Sequence, residues 1–182
     1  MISNERTQNT IIAATIIIAV VSSVTLVGNG TYYAGTYDLL GNVKITFKSL
    51  TISHIDPLDN ETYPSIQFVF NVATSSIYRG NVKITFYGFT PILNNDQLSY
   101  AQFSVIPPIA EQYLTPNYSY DFVFNKTAQD ELGIDRQVIL DAYQSGTWFW
   151  QVNMRYSYIF FDVYRTIEYA YVSFNITQVT IV

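Results

Sequence analysis

The chain has 182 residues, of which 49% are hydrophobic and only 13% charged, and it contains no cysteine. The formal net charge of −5, with no cluster of Lys and Arg, excludes nucleic acid as a partner, because such binding needs concentrated positive charge. The absence of cysteine excludes disulfides, thiolate metal sites and thiol enzymes.

The N-terminal region is organised around an uninterrupted apolar run, Ile11–Val27. Its seventeen residues contain no charge, Pro or Gly. A helix of that length covers about 25 Å, close to the thickness of a hydrocarbon core. Three interpretations are open: a retained signal anchor, a secretory signal peptide cleaved near Val21-Ser22-Ser23, and a buried core helix. Because the run has no polar face, we expect an uncleaved helix in membrane lipid or in the apolar core of an assembly.

The apolar run divides the chain into four predicted segments. They are a short N-terminal tail (1–10), the hydrophobic helix (11–28), a Gly- and Tyr-rich connector (29–42) and one exterior domain (43–182). Tyr32 and Tyr33 of the connector lie where interfacial aromatic residues flank a bilayer.

The exterior domain shows the alternation of strands that are exposed on one face. Alternating segments begin near Val43, Ile66, Val82, Leu98, Tyr118, Trp148 and Tyr169. The second and third are joined by a short turn, which predicts a hairpin. Helical spacing replaces alternation only within residues 128–145. This predicts one amphipathic helix, which Gly146 ends. This order predicts an all-β fold, an Ig-like antiparallel β-sandwich with one amphipathic helix, preceded by the N-terminal hydrophobic helix.

Three stretches resemble the late-embryogenesis-abundant type 2 domain, also called the water-stress and hypersensitive-response domain. They are IQFVFNVATSSIYRGNVKITFYG, FSVIPPIAEQYLTPNYSYDFVFN and DRQVILDAYQSGTWFWQVNMRYSY. The resemblance covers roughly residues 43–177 and implies an Ig-like domain without catalytic residues. In general outline the chain also resembles archaeal cell-surface proteins, archaellum stators and surface-filament subunits, which carry a short N-terminal hydrophobic helix.

The sequence offers few residues for catalysis or metal binding. A turn-rich loop holds the only histidine and three acidic residues: His54, Asp56, Asp59 and Glu61. A second nitrogen or sulfur ligand for zinc is missing, and the spacing differs from an EF-hand, so a solvated loop is favoured over a bound Ca²⁺. Three more carboxylates lie near the predicted helix start, where the helix dipole favours negative charge: Asp130, Glu131 and Asp135. We therefore expect no enzyme, no cofactor and no metal site.

Five Asn-x-Ser/Thr sequons follow the apolar run and are candidates for N-glycosylation: Asn29, Asn60, Asn117, Asn125 and Asn175. An Asn- and Thr-rich composition also produces such matches by chance. Together with a membrane signal, five of them are typical of a glycosylated exterior domain.

The C-terminal strand carries no Lys or Arg over YVSFNITQVTIV, so the usual blocking charges of an edge strand are missing. It predicts either an edge open to a neighbour's strand or a strand paired on both sides. The interaction candidates are Tyr169, Tyr171, Gln178 and Thr180. The predicted function is a non-enzymatic single-pass membrane protein with its domain outside the cell, contacting other surface proteins or copies of itself. The alternatives are a polymerising subunit of a filament, pilus or viral coat, and a small-ligand or glycan-binding module.

Overall fold

The computed structural model describes residues 5–59, 61–163 and 166–182. Helix α1 spans Glu5–Gly41, and helix α2 spans Ile134–Ser145. The strands are β1 (Val43–Ser53), β2 (Ser65–Thr74), β3 (Val82–Phe89), β4 (Ile92–Leu93), β5 (Asp96–Gln97), β6 (Phe103–Val105), β7 (Ser119–Thr127), β8 (Trp150–Phe160), β9 (Glu168–Ile176) and β10 (Thr180–Ile181). A 3-10 turn over Ile109–Glu111 lies between β6 and β7.

The described strands form two sheets. Sheet A has the order β10-β1-β2-β7. Sheet B is built around β8, which pairs with β9 on one side and with β3 and β4 on the other. Strands β6 and β5 extend it beyond β3 and β4. The chain therefore passes from the edge of sheet B at β9 to the edge of sheet A at β10.

One aromatic core lies between the sheets. Phe68 of β2 is fully buried. Its ring meets those of Phe89, Phe103 and Trp150 edge-on, with centroids 5.3, 5.2 and 5.5 Å away. Each such pair contributes about 0.5–1.5 kcal/mol beyond the area it buries. The alternation along β2 and β8 thus predicts the buried face correctly, and Trp150 of β8 is fully buried in this core.

The predicted fold class is wrong. The protein is about 30% helical and 39% strand, which makes it a mixed α/β structure. A long N-terminal helix is followed by a mostly β domain whose two sheets form a half-barrel. Two features separate it from an all-β, antiparallel Ig-like sandwich. Helix α1 has 37 residues, many more than the apolar run alone. Strand β10 pairs with β1 in parallel, through Thr51–Thr180 and Ile52–Ile181.

The predicted hairpin is also wrong, since β2 belongs to sheet A and β3 to sheet B. The β2–β3 loop, defined here as residues 75–81, crosses between the sheets and contacts helix α1. Thr74 Oγ1 donates to the Leu39 carbonyl (3.1 Å), and the Asn81 N–H donates to Thr36 Oγ1 (2.9 Å). These bonds hold both ends of the loop to the helix, a long-range effect that alternation does not report.

The connector predicted over residues 29–42 is helical as far as Gly41. Gly35, Thr36 and Leu39 are buried against the domain at helical spacing, which stabilises this part of α1 despite its glycines. Helix α2 lies within the predicted range but begins only at Ile134. Gly133 adopts φ +65°, and the Asp130 carboxylate accepts the Ile134 N–H at 2.7 Å, so the first turn starts there.

Candidate functional site

The apolar half of α1 is the first candidate surface. Helix α1 is long and apolar enough to cross a membrane once, and its most hydrophobic window buries none of its residues in the protein. The ten Ile, Val and Leu side chains of the run Ile11–Val27 are 46–75% exposed. Burying the exposed part of each is worth about 1 kcal/mol, so leaving all ten in water costs on the order of 10 kcal/mol.

The other end of α1 is docked tightly on the domain. A Cβ placed on Gly35 would collide with the backbone carbonyl of Arg79, and a Cβ on Gly80 would collide with the backbone of Thr36. Glycine at 35 and 80 therefore permits a backbone-to-backbone approach that other residues prevent. Thr36 is fully buried, and its hydroxyl accepts the Asn81 N–H while donating to Tyr32 O at 3.0 Å. We call this contact the helix dock.

Aromatic rings extend the helix dock towards the apolar run. Tyr33 and Tyr32 lie 4.7 and 6.1 Å from the ring of Phe161, just beyond the end of β8. Tyr37 packs on Phe160 at 5.3 Å. The two tyrosines that the sequence predicts to be interfacial thus contact the domain as well as lying near the apolar run.

The outer face of sheet B is the second candidate surface. The Arg155 guanidinium lies 5.6 Å from the ring centre of Phe86 and 5.3 Å from that of Tyr169. Tyr171, 71% exposed, lines a shallow depression of about 330 Å³ beside Arg155. Ser173 donates to Asn153 Oδ1 at 2.7 Å on the same face. The predicted candidates Tyr169 and Tyr171 therefore belong to one aromatic and cationic surface.

The edge next to this face is open. Strand β9 pairs with β8 from Glu168 to Ile176, and within the described part of the chain its other edge has no partner strand. Ala170 and Val172 lie on its inner face, and Phe174 packs on Phe70 at 5.0 Å. Within the described residues β9 is thus an edge strand of sheet B.

The other two interaction candidates lie elsewhere. Thr180 is in β10, at the edge of sheet A, where it pairs with Thr51. Gln178 precedes β10, is exposed and belongs to no strand. Of the predicted four, two thus lie in sheet B, one in sheet A and one in neither, because the C-terminal segment breaks between residues 176 and 180 instead of forming one strand.

Four of the five sequons are exposed. Asn29 lies within α1, two residues beyond Val27, while Asn117 lies in a turn with φ +56°. Asn125 is on β7, where it accepts from Ser65 Oγ at 3.1 Å, and Asn175 is on the outer face of β9. The sequon at Asn60 lies outside the described residues.

The acidic residues have structural partners. Asp135 is fully buried, and its Oδ2 accepts the N–H groups of Tyr100 (3.0 Å) and Ala101 (2.6 Å). Burial, with a smaller contribution from the nearby Asp130 carboxylate, raises the pKa of Asp135 above its ordinary value. The sequence predicted a helix-dipole role for Asp135, and nothing in the pattern signalled that it ties α2 to the segment before β6.

The loop around His54 is held by α2. Arg136 donates to the carbonyl oxygens of Asp56 (3.1 Å), Asp59 (2.9 Å) and Thr62 (3.1 Å). Among the described residues no group of three or more His, Cys, Asp and Glu is arranged to hold a metal ion. The guanidinium thus ties this loop to α2 through its backbone carbonyls.

Comparisons with known proteins add little to this geometry. No protein-family model matches the chain, and no curated protein matches it. A crystal structure of a protein from Archaeoglobus fulgidus is 12% identical, with 75% of this chain and 94% of that chain covered, at a TM-score of 0.40. An X-ray structure of a Northeast Structural Genomics Consortium target is 10% identical, with 75% and 83% covered, also at 0.40. Likenesses this distant carry no argument about fold or function.

Proposed function

We propose that the protein is a non-enzymatic, membrane-anchored component of a cell envelope, with its β domain on the outer side as a protein-interaction module. The supporting observation is the division of α1 into two halves. The apolar half exposes every large side chain of the run Ile11–Val27, while the other half is fixed to the domain through Gly35 and Gly80. A rigid β domain carried on an unburied apolar helix is the arrangement that a membrane anchor requires.

Two lysines in the run test the anchoring. Each Lys near the centre of a membrane helix costs about 2.5–3.5 kcal/mol. Ile17→Lys with Val20→Lys therefore removes more than half of the roughly 10 kcal/mol gained when the apolar side chains of the run are buried in lipid. We expect the full-length protein and the control Ile17→Leu to stay with the membrane pellet after an alkaline wash. The double variant should be released, with unchanged tryptophan fluorescence from the β domain. Release of the unaltered protein by the same wash would contradict the proposal.

A polymerising subunit is the second candidate, favoured by the open edge of β9. That edge runs for nine residues, and its only charged residue is Glu168 at one end. Strand β7, at one end of sheet A, instead carries Asp121 and Lys126. An unblocked edge is the usual template for adding a strand from another chain. A glycan on Asn175 would close it, so glycosylation at that residue and strand addition exclude each other.

Charges on the outer face of β9 separate the two candidates. Both Tyr171 and Ser173 point to solvent, so Tyr171→Lys with Ser173→Lys should leave the fold intact. Val123→Lys on β7, where Val123 is 50% exposed, is the matched control. If the protein polymerises through β9, the double variant loses high-mass species in mild detergent and the control keeps them. Equal assembly in all three proteins would show that β9 is not the contact.

A further inference from the structure

The β2–β3 loop presents two large apolar side chains at the end of the domain from which α1 leaves. Ile77 is 71% and Tyr78 56% exposed. The loop is nevertheless firmly built, because Ser76 is buried, its Oγ accepts the Tyr78 N–H at 3.1 Å, and its carbonyl accepts the Asn117 N–H at 2.9 Å. A loop that is fixed by hydrogen bonds while its apolar side chains stay exposed to solvent indicates a contact surface.

The position of the loop along α1 identifies what it faces. Ile77 and Tyr78 line a depression of about 340 Å³ together with Gly28 and Tyr32 of the helix. Gly28 directly follows Val27, and at about 1.5 Å per residue Tyr32 lies only about 7.5 Å beyond the apolar run. The headgroup region outside a hydrocarbon core is roughly 5–7 Å thick on each side. The loop therefore lies at headgroup level when α1 spans a bilayer.

The chemistry of the surroundings is that of a membrane interface. Tyrosine is enriched there, and this end of the domain carries Tyr32 and Tyr33, with Arg79 next to Tyr32. The acidic residues Asp38 and Asp162 lie nearby, so the surface has no large excess of positive charge. Apolar contact, rather than attraction to anionic lipid, is therefore the force available to it.

We propose that Ile77 and Tyr78 insert into the headgroup region of the same bilayer that α1 spans, and so seat the β domain on the membrane at a fixed angle. This inference rests on the proposed anchoring. The helix dock makes it possible: because Gly35 and Gly80 bring the loop against the helix backbone, the loop cannot be at any other depth while the dock is intact.

Single-cysteine variants of the full-length protein test the seating, since the natural chain contains no cysteine. Ile77→Cys, Leu58→Cys and Val20→Cys are each labelled with a small environment-sensitive fluorophore and reconstituted into phosphatidylcholine vesicles. Leu58 is the matched control: it is 95% exposed and lies in the β1–β2 loop. That loop is at the opposite end of β2, roughly 30 Å away at about 3.3 Å per residue.

Lipids that carry a quencher near the headgroup should extinguish most of the emission from position 77 and leave position 58 unchanged. Adding anionic lipid should not alter this pattern, and a requirement for anionic lipid would overturn insertion by apolar contact. A label at 77 that aqueous iodide reaches as easily as the label at 58 would also overturn the inference. So would a label shielded from both iodide and lipid, which would show that a protein covers the loop.

The label at position 20 distinguishes failure of the proposed seating from failure of the proposed anchoring. A quencher placed deep in the acyl chains should extinguish the label at Val20. If it does while position 77 stays in water, the seating is wrong and the anchor stands. If position 20 also escapes the deep quencher, both the anchor and the seating are wrong.

Discussion

The helix dock predicts opposite effects for the same substitution at two positions of α1. Gly30→Ala places its Cβ where nothing lies within 4 Å, so it should only gain the roughly 1 kcal/mol by which Ala exceeds Gly in a helix. Gly35→Ala gains the same amount but forces its Cβ into the Arg79 carbonyl, which belongs to the backbone and has no rotamer to change. Overpacking of this kind typically costs about 1–3 kcal/mol.

The amide of Asn81 is a local probe of this contact, because it donates to Thr36 Oγ1 at 2.9 Å across the dock. Net of the helical gain of about 1 kcal/mol, the local loss reaches about 2 kcal/mol, which corresponds to roughly a 30-fold change in an equilibrium. Hydrogen exchange in full-length protein should therefore speed up at Asn81 by about that factor in Gly35→Ala, while Gly30→Ala leaves it protected. Equal protection in the two variants would show that α1 and the domain are not joined in this way.

Two further predictions concern helix α2. Because burial raises the pKa of Asp135, the native state holds its proton more tightly than the unfolded chain, so this residue's contribution to stability should fall as pH rises from about 4 through the raised pKa. In Asp135→Asn, the free energy of unfolding measured by chemical denaturation should change less with pH over this range, whereas an unchanged pH dependence would contradict the prediction. Arg136→Met removes three hydrogen bonds to the loop around Asp59 and should make that loop a preferred site of limited proteolysis, and resistance equal to the natural chain would refute the role.

Local alternation was sufficient to predict most strands. Strands β1 and β3 begin at Val43 and Val82 as expected. The hydrophobic helix was equally easy to predict from the apolar run, because a run of seventeen uncharged residues is stable in few environments.

The assignment of strands to sheets was not available from local pattern. A short turn between two alternating segments predicts a hairpin, yet β2 and β3 separate because Thr36 and Leu39, some forty residues earlier in the chain, bind the ends of their loop. Glycines at 30, 35 and 41 suggested a connector, whereas in the fold Gly35 is what lets the helix approach the domain. In the predicted connector, the spacing of Gly35, Thr36 and Leu39 was the one local signal of a helix. That signal could be interpreted only with knowledge of the part of the domain against which these residues are buried.

The central claim, that α1 crosses a membrane and carries the β domain outside, is tested most directly by labelling single cysteines in intact cells. Thr7→Cys lies before the apolar run, and Ser173→Cys lies on the exposed outer face of β9. A membrane-impermeant maleimide should modify Ser173→Cys in intact cells and Thr7→Cys only after the membrane is permeabilised. Labelling of both positions in intact cells, or of Thr7→Cys alone, would contradict the claim.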